Sequence, residues 1–341
     1  MDAIESKSDE PLTGARRAWV LLLVQGLPLL GFLGGMALLI HEGISRLDLG
    51  LFLGMYLVTM VGIEIGYHRL LAHRSFEVVR PLRALFLIAG SMAGQGSALL
   101  WSAVHRVHHA TTDTPEDPHS PVIARPGIRP GLHAFLWAQF LWFLDYPVTV
   151  RFGRFLERHR HQVDALLASR AQDVEHRLAR TMPDLLRDEP LLRLNQRYNT
   201  WLLVGFALPA VVGGLVTGSW AGALRGLVWG GFVRYYVVQQ VTFAINSLGH
   251  IVGTRPLESR DYSRNNLLMV VLTVGSGWHN HHHTFPGAAR LDFKWWQVDP
   301  GGLLIRLLER LGLAWDVRMP TAEAIARAER RPAVQVSPDS P

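Results

Sequence analysis

Four long apolar runs dominate this chain, and they come in two pairs. Ala18 to Ile40 is 23 residues without a charge, enough helix to cross a hydrocarbon core of roughly 30 Å. Leu49 to Gly66 is a second run, interrupted only by Glu64. Thr200 to Trp220 and Gly226 to Leu248 form the second pair, the last containing Arg234. Each pair is joined by a short loop, 41–48 and 221–225, as in two membrane hairpins. A soluble fold would have to bury all four runs inside one core, so an integral membrane protein is expected.

The segments between the runs read as a helical cap. Leu82 to Val104 is mostly apolar but carries Arg83, Gln95 and several glycines and serines. It reads as a helix lying at the membrane surface or packed under the site. Thr111 to Gly131, rich in Pro, Asp and Thr, reads as loop, and His133 to Leu144, short and aromatic, as an interfacial helix. Arg151 to Arg180 is strongly charged, with apolar residues at 155, 156, 163, 166, 167, 174 and 178. That spacing predicts an amphipathic helix or helical pair. Gly301 to Leu313 is a further amphipathic helix before a charged tail. The expected fold is therefore all-α. A tail at 1–17 leads into a membrane domain at 18–325, followed by a tail at 326–341. The spans fall at about 18–40, 49–66, 200–220 and 226–248, under a cap made of 67–198 and 250–325.

Charge orients this arrangement. Of the 34 Lys and Arg residues, 3 precede residue 18, 17 lie between 67 and 198, and 11 follow residue 250. The two short loops carry only Arg46 and Arg225. The positive-inside rule then puts both termini and the cap in the cytoplasm. The net charge of +6 reads as membrane orientation, and no nucleic-acid motif accompanies it. Arg16 and Arg17 precede the first apolar run as in a signal sequence. The run is too long for an h-region and no cleavage site follows it, so a retained span is expected.

Nine histidines fall into an ordered pattern. His68 and His73 sit in H-R-L-L-A-H, His105, His108 and His109 in H-R-V-H-H, His250 at the end of N-S-L-G-H, and His279, His282 and His283 in H-N-H-H-H. Neutral imidazole is the commonest protein ligand for borderline transition metals. One metal takes four to six donors, so nine clustered imidazoles point to two metals. The absence of cysteine removes thiolate and iron–sulfur sites and fits a reducing compartment. Oxygen or redox chemistry at a pair of irons is the leading reading. Positions i, i+3 and i+4 share one helix face, so each triplet is expected to aim three imidazoles at one point. His68 and His73, five apart, are about 140° apart on a regular helix and must converge at a helix end or through a distortion. His159, His161 and His176 are expected to be solvated, His41 to lie in the outer loop, and His281 to point away from the site.

With these motifs the chain resembles the integral-membrane fatty acyl desaturases, of the acyl-CoA (Δ9, stearoyl-CoA) type. The resemblance runs from about Gly66 to Trp315. G-Y-H-R-L-L-A-H-R-S-F (66–76) is similar to the family's first histidine box and H-R-V-H-H-A-T-T-D-T-P-E-D-P-H (105–119) to its second. R-Y-Y-V-V (234–238) with N-S-L-G-H (246–250) resembles its fourth span, and G-W-H-N-H-H-H-T-F-P (277–286) its third box. The resemblance implies four transmembrane helices in two hairpins, under a cytoplasmic helical cap that holds a di-iron site. The nine histidines would be the ligands, with Asn246 reaching one iron through a water. It implies O₂ as co-substrate and removal of two hydrogens from adjacent methylenes of a long acyl chain. No separate acid or base residue is implied, because the metals carry the hard chemistry. Two electrons would come from a separate ferredoxin or cytochrome b5 type donor with its reductase, since no H-P-G-G haem motif is present.

The chain also departs from the family. Gly96, Ala103 and Val104 stand where polar and basic CoA contacts are usual, and F-L-D-Y-P (143–147) where a basic pair would precede the proline. The acyl carrier, whether CoA, carrier protein or lipid, therefore stays open. Ser276 replaces the acidic residue usual before the third box, and Glu64, one turn before His68, is expected to take over its role of orienting a ligand imidazole. The 32-to-2 excess of Arg over Lys suggests a bacterial cytoplasmic membrane. Two alternatives are a di-iron hydroxylase of a lipid on the same scaffold and a non-enzymatic membrane metal carrier. The carrier would string its histidines along the spans, whereas these gather at one depth.

Overall fold

The computed structural model describes residues 14–123, 131–146 and 149–330. The expected tail before Gly14, the loop at 124–130 and the tail after Arg330 lie outside the described residues. Among the described residues the fold is helical, with a single pair of two-residue strands.

Helix α1 (Gly14–Leu21) passes through a π-helical turn, Leu22–Gly26, into α2 (Leu27–Glu42). Gly43, at φ 74°, ends it. Ser45 and Asp48 form a capping box that opens α3 (Arg46–Val61), so the outer loop is shorter than the sequence suggests. The chain then stays helical to residue 72 through a π-helical stretch, Gly62–Ala72. Strand β1 (Glu77–Val78) leads to α4 (Arg80–Met92), and α5 (Ala98–Thr111) carries the second histidine group. The expected single helix over 82–104 is thus two helices. Gly94 and Gly96, at φ 74° and 93°, make the turn that only a residue without Cβ adopts cheaply.

Helix α6 (Leu132–Phe140) and a 3₁₀ turn, Trp142–Asp145, occupy the predicted interfacial segment. The charged region forms three short helices rather than one or two: α7 (Thr149–His159), α8 (Val163–Ala168) and α9 (Val174–Arg180). Asp173 caps the last of these by accepting from the His176 amide, which restarts the helix after a break. Helix α10 (Glu189–Gln196) precedes α11 (Tyr198–Thr217). Then α12 (Trp220–Gly226), a π-helical stretch Leu227–Val233 and α13 (Arg234–Ser247) run on to a 3₁₀ turn at Leu248–His250. The last group comprises α14 (Leu267–Leu272), α15 (His279–Thr284) and α16 (Pro300–Arg310). Strand β2 (Ala314–Trp315) and α17 (Ala322–Arg330) follow. The predicted helix at 301–313 ends early because Gly312 turns at φ 69°. Helix α17 crosses the expected domain end at 325.

Among the described residues three helical runs are long and apolar enough to cross a membrane: Arg17–Glu42, Arg46–Ala72 and Tyr198–Thr217. The fourth expected span is an unbroken helical run, but Arg225, Arg234, Gln239, Gln240 and Asn246 dilute its apolar character. At the end away from the histidines Arg225 ties α12 to the turn between α2 and α3. It donates to Asp48 at 2.6 Å, to Glu42 at 2.6 Å and to the Gly43 carbonyl at 2.9 Å. At the other end α4 lies against the π-helical stretch so closely that a Cβ on Gly62 would overlap the Ala89–Gly90 backbone. That contact fixes α4, and through the glycine turn it fixes α5 over the first histidine pair. Strand pairing of Glu77 with Trp315 and Val78 with Ala314 closes the cap across the whole sequence.

Candidate metal centre

The first histidine pair converges because its helix is not an α-helix. His73 N donates to His68 O, a bond five residues back, and π-helical bonding of this kind clusters at functional sites. It brings residues five apart onto one face, which a regular helix cannot do.

The nine histidines form two groups. His68, His73, His105, His109 and His282 bring five nitrogens within 4.8 Å of one another, and His108, His250, His279 and His283 bring four. The expectation that each triplet aims at one point is therefore wrong, and helix geometry gives the reason. At about 100° per residue, i+4 lies about 40° from i, whereas i+3 lies about 60° away on the other side. His105 and His109 thus share one group while His108 crosses to the other. His279 and His283 likewise stay together while His282 crosses. Each triplet is divided two to one, so each bridges both positions.

The donor chemistry and spacing fit a metal. In the first group Nε2 atoms lie 3.0 Å apart for His68 and His282, 2.8 Å for His73 and His105, 3.1 Å for His109 and His105, and 2.8 Å for His282 and His109. In the second, His279 and His250 are 3.0 Å apart. Donors at right angles around an ion with metal–nitrogen bonds of ~2.1 Å would be about 3 Å apart. His108 Nε2 and His283 Nε2 are buried without a hydrogen-bond partner, a costly state that a cation would relieve. Burial first, then neighbouring imidazoles, push His73, His105, His109, His279 and His282 well below the usual histidine pKa. His283 is pushed down to about 4 by burial despite Asp261. These six imidazoles thus favour the neutral, metal-binding form, whereas at His250 burial is outweighed by the facing Asp113, which raises its pKa.

Carboxylates hold the imidazoles from behind. His68 Nδ1 donates to Glu64 at 3.0 Å, His108 Nδ1 to Asp117 at 3.0 Å, and His250 Nδ1 to Asp113 and His283 Nδ1 to Asp261 at 2.9 Å. Glu64 also accepts from Ser276 Oγ and, at 2.6 Å, from Arg69, which spans on to Asp299 at 2.6 Å. All of these side chains are buried. For Asp117 and Asp261 burial acts to raise the pKa, but the facing imidazole outweighs it and holds each carboxyl below its usual range. Sequence reasoning found Glu64 but not Asp113, Asp117, Asp261, Arg69 or Asp299. Asp113 and Asp117 had a signal, since D-T-P-E-D-P begins four residues after His109. The others had none.

A cavity of about 480 Å³ opens beside the metal positions. His68, His105, His279, His282 and Asn246 contribute to its wall, which is otherwise largely apolar and aromatic. Trp101, stacked on His105 at 4.7 Å, is part of that wall. His119, buried beside His108 with ring centroids 4.4 Å apart, is a further wall residue that the sequence did not single out. His281 faces away: its ring stacks on Trp278 and Phe293, and its Nδ1 donates to Leu291 O at 2.9 Å. His159 and His176 are half-buried in the cap, and His41 and His161 are exposed.

Comparison with known proteins agrees with this geometry. Residues 47–300 match the fatty acid desaturase family. The chain is 38% identical to the hex-5-enoyl-[acyl-carrier protein] acetylenase of Moorena producens, over 89% of this chain and 87% of that protein. It is 32% identical to the sn-1 stearoyl-lipid 9-desaturase of Synechocystis, over 80% of this chain and 72% of the relative. Acyl-CoA desaturase 1 of Saccharomyces cerevisiae is 33% identical over 90% of this chain, which spans only 53% of that longer protein.

Proposed function

The chain belongs to the fatty acid desaturase family, and from that premise we propose that it is a membrane-bound, di-iron, O₂-dependent desaturase of a long acyl chain. That it is a membrane oxidoreductase of fatty acyl desaturase type follows from the family and its relatives. The hydroxylase alternative is not favoured, because the relatives carry desaturase and acetylenase names. The finer assignments are ours. They comprise two irons, held by His68, His73, His105, His109 and His282 and by His108, His250, His279 and His283, with Asn246 reaching one through a water. They further comprise four spans, cytoplasmic termini in a bacterial membrane, and electrons from a separate ferredoxin or cytochrome b5 type donor.

The observation that carries the reading is the meeting of two all-imidazole groups with an apolar cavity. Iron bound there would supply O₂ activation and hydrogen abstraction. The protein's own part is binding and orientation. Apolar and aromatic walls hold an acyl chain against the imidazole faces, and burial excludes water. Glu64, Asp113, Asp117 and Asp261 fix the rings with Nδ1 protonated and Nε2 free. No carboxylate or histidine outside these groups is needed as acid or base. The relatives' names span carrier-protein, CoA and lipid acyl groups, so the carrier is left to experiment.

The test is metal analysis of detergent-purified protein, paired with lipid mass spectrometry of cells expressing wild type or His108→Ala. About two irons per chain and a new unsaturated acyl species, both reduced in the variant, are expected. An oxygenated product would mean a hydroxylase, and zinc alone would refute the redox reading.

A further inference from the structure

The two metal positions differ in what stands behind their ligands. In the four-imidazole group three Nδ1 atoms face aspartates: His108 on Asp117, His250 on Asp113 and His283 on Asp261. Among the described residues no lysine or arginine forms an ion pair with any of these three carboxylates. In the five-imidazole group only His68 has such a partner, and that carboxylate, Glu64, is shared with Arg69.

The local chain is built to hold these aspartates. Asp113 sits at φ 57°, a backbone state that non-glycine residues rarely adopt. Its carboxylate accepts from Ser120 Oγ at 2.7 Å and from the Tyr262 amide at 2.8 Å, and its own amide donates to Asp117 at 2.8 Å. Asp261 is braced separately, by the Ser263 amide at 3.0 Å.

We propose that Asp113, Asp117 and Asp261 make the four-imidazole position the one that keeps its metal, and that the five-imidazole position releases first although it offers one more donor. The inference rests on the metal reading above. A buried divalent ion needs counter-charge, and neutral imidazoles supply none. Three carboxylates without a lysine or arginine partner among the described residues, of which Asp117 also lies 3.7 Å from His119 Nδ1, meet that need on one side, whereas the other has a single carboxylate already engaged by a cation. A carboxylate behind a ligand imidazole also raises the ring's basicity, and losing one such partner typically costs about 10- to 100-fold in metal affinity. Three partners against one therefore outweigh a single additional neutral donor. The aspartates are positioning residues: they touch ligands, not substrate.

The experiment uses the full chain, purified in detergent and loaded with ⁵⁷Fe. Excess chelator is added, remaining iron is counted over time, and Mössbauer spectra follow the two populations. Wild type should lose its irons in two phases, one iron in each. Asp261→Asn and Asp113→Asn should accelerate the slow phase by about 10- to 100-fold and leave the fast phase unchanged, with Asp261→Glu restoring most of the retention. Glu64→Gln should act on the fast phase alone. Asp261 and Asp113 lie on different loops, so a folding defect in one variant does not remove the test. Release in a single phase, or aspartate variants that change only the fast phase or neither, would overturn the proposal. A wild-type starting content well below two irons would overturn the metal reading, and this inference with it.

Discussion

Replacing Glu64 by glutamine tests the central logic of the site, because the structure dictates what the amide must do. Glu64 accepts four hydrogen bonds. Arg69 Nε and Nη2 reach Oε1 at 2.8 and 2.6 Å, while His68 Nδ1, at 3.0 Å, and Ser276 Oγ reach Oε2. Glutamine keeps one acceptor and gains an NH₂. Turned toward Arg69, the NH₂ would oppose two cationic donors, so it must turn toward His68 and Ser276. The serine hydroxyl can rotate to accept, but His68 cannot keep a proton on Nδ1 against an NH₂. The proton moves to Nε2, the atom that lies 3.0 Å from His282 and faces the metal position. Loss of the orienting carboxylate should weaken metal binding by about 10- to 100-fold, or roughly 1.4 to 2.8 kcal/mol. Removing one partner of a buried ion pair costs ~3–5 kcal/mol, and the retained amide oxygen should bring this toward the lower value. Adding Ser276→Asp to Glu64→Gln returns a carboxylate to the same cluster and should recover metal and stability. Ser276→Asp alone puts two carboxylates side by side and should destabilise. The assay is iron content after dialysis against buffered iron, with thermal melts in detergent for all four members of the cycle. Unchanged iron and melting in Glu64→Gln, or no recovery in the double variant, would refute the reasoning.

Three further predictions follow from the same packing. Gly62→Val drives a side chain into the Ala89–Gly90 backbone; it should cost at least ~1–3 kcal/mol and, by shifting α4 and α5, reduce iron content, whereas Gly50→Ala, where a Cβ meets open space, should change neither. His281→Ala should cost roughly 1–3 kcal/mol of stability, through loss of the Trp278 and Phe293 stacking and the Leu291 hydrogen bond, and so lower the melting temperature, yet leave two irons bound; metal loss would show that this ring serves the site after all. For Asp184, burial acts to raise the pKa, but two Arg106 bonds at 2.6 and 3.0 Å outweigh it and hold the carboxyl below its usual value. Stability from this pair is present above the unfolded carboxyl value and is lost as pH falls through the lower folded one, so Asp184→Asn should flatten the acid limb of a melting-against-pH profile, and an unchanged limb would assign that limb to other carboxylates.

What could be read from the chain was whatever depends on local periodicity or on residue type. Apolar run length gave three of the four expected spans as long apolar helices among the described residues, because crossing a bilayer is a one-dimensional requirement. The loop after Thr111 and the interfacial helix before Tyr146 were equally plain from composition. Backbone geometry at glycine was less legible: Gly94 and Gly96 look like two more small residues in an apolar stretch, yet their positive φ values split one expected helix in two. In the charged region the apolar spacing was right for helix, but Asp173 capping a new one is visible only once its side chain is seen to reach the His176 amide. Asp261 and Asp299 illustrate the harder limit. Asp261 lies 22 residues before His283 and Asp299 lies 230 after Arg69, and nothing in S-R-D-Y-S or V-D-P marks a carboxylate that the fold brings behind a metal ligand or an arginine.

The histidine spacings show how much of a metal code depends on helix type. H-x-x-H-H on a regular helix is a divider rather than a claw: the i and i+4 rings turn one way, the i+3 ring the other, and two such motifs facing each other define two positions. H-x-x-x-x-H works differently. On a regular helix its rings diverge by about 140° and cannot share an ion, so the motif is informative only together with a helix that bonds five residues back. The bond from His73 N to His68 O is that helix. The same π-helical stretch carries Gly62 and Gly66, which admit α4 at close range, and Glu64, which holds His68. One local change of winding therefore aligns the histidine pair, sets its supporting carboxylate and seats the helix that leads to the second histidine group. The ring pair and the close-packed glycines are parts of one device. A substitution that restored regular winding at 62–72 should turn His73 away from His105 even with every ligand still present.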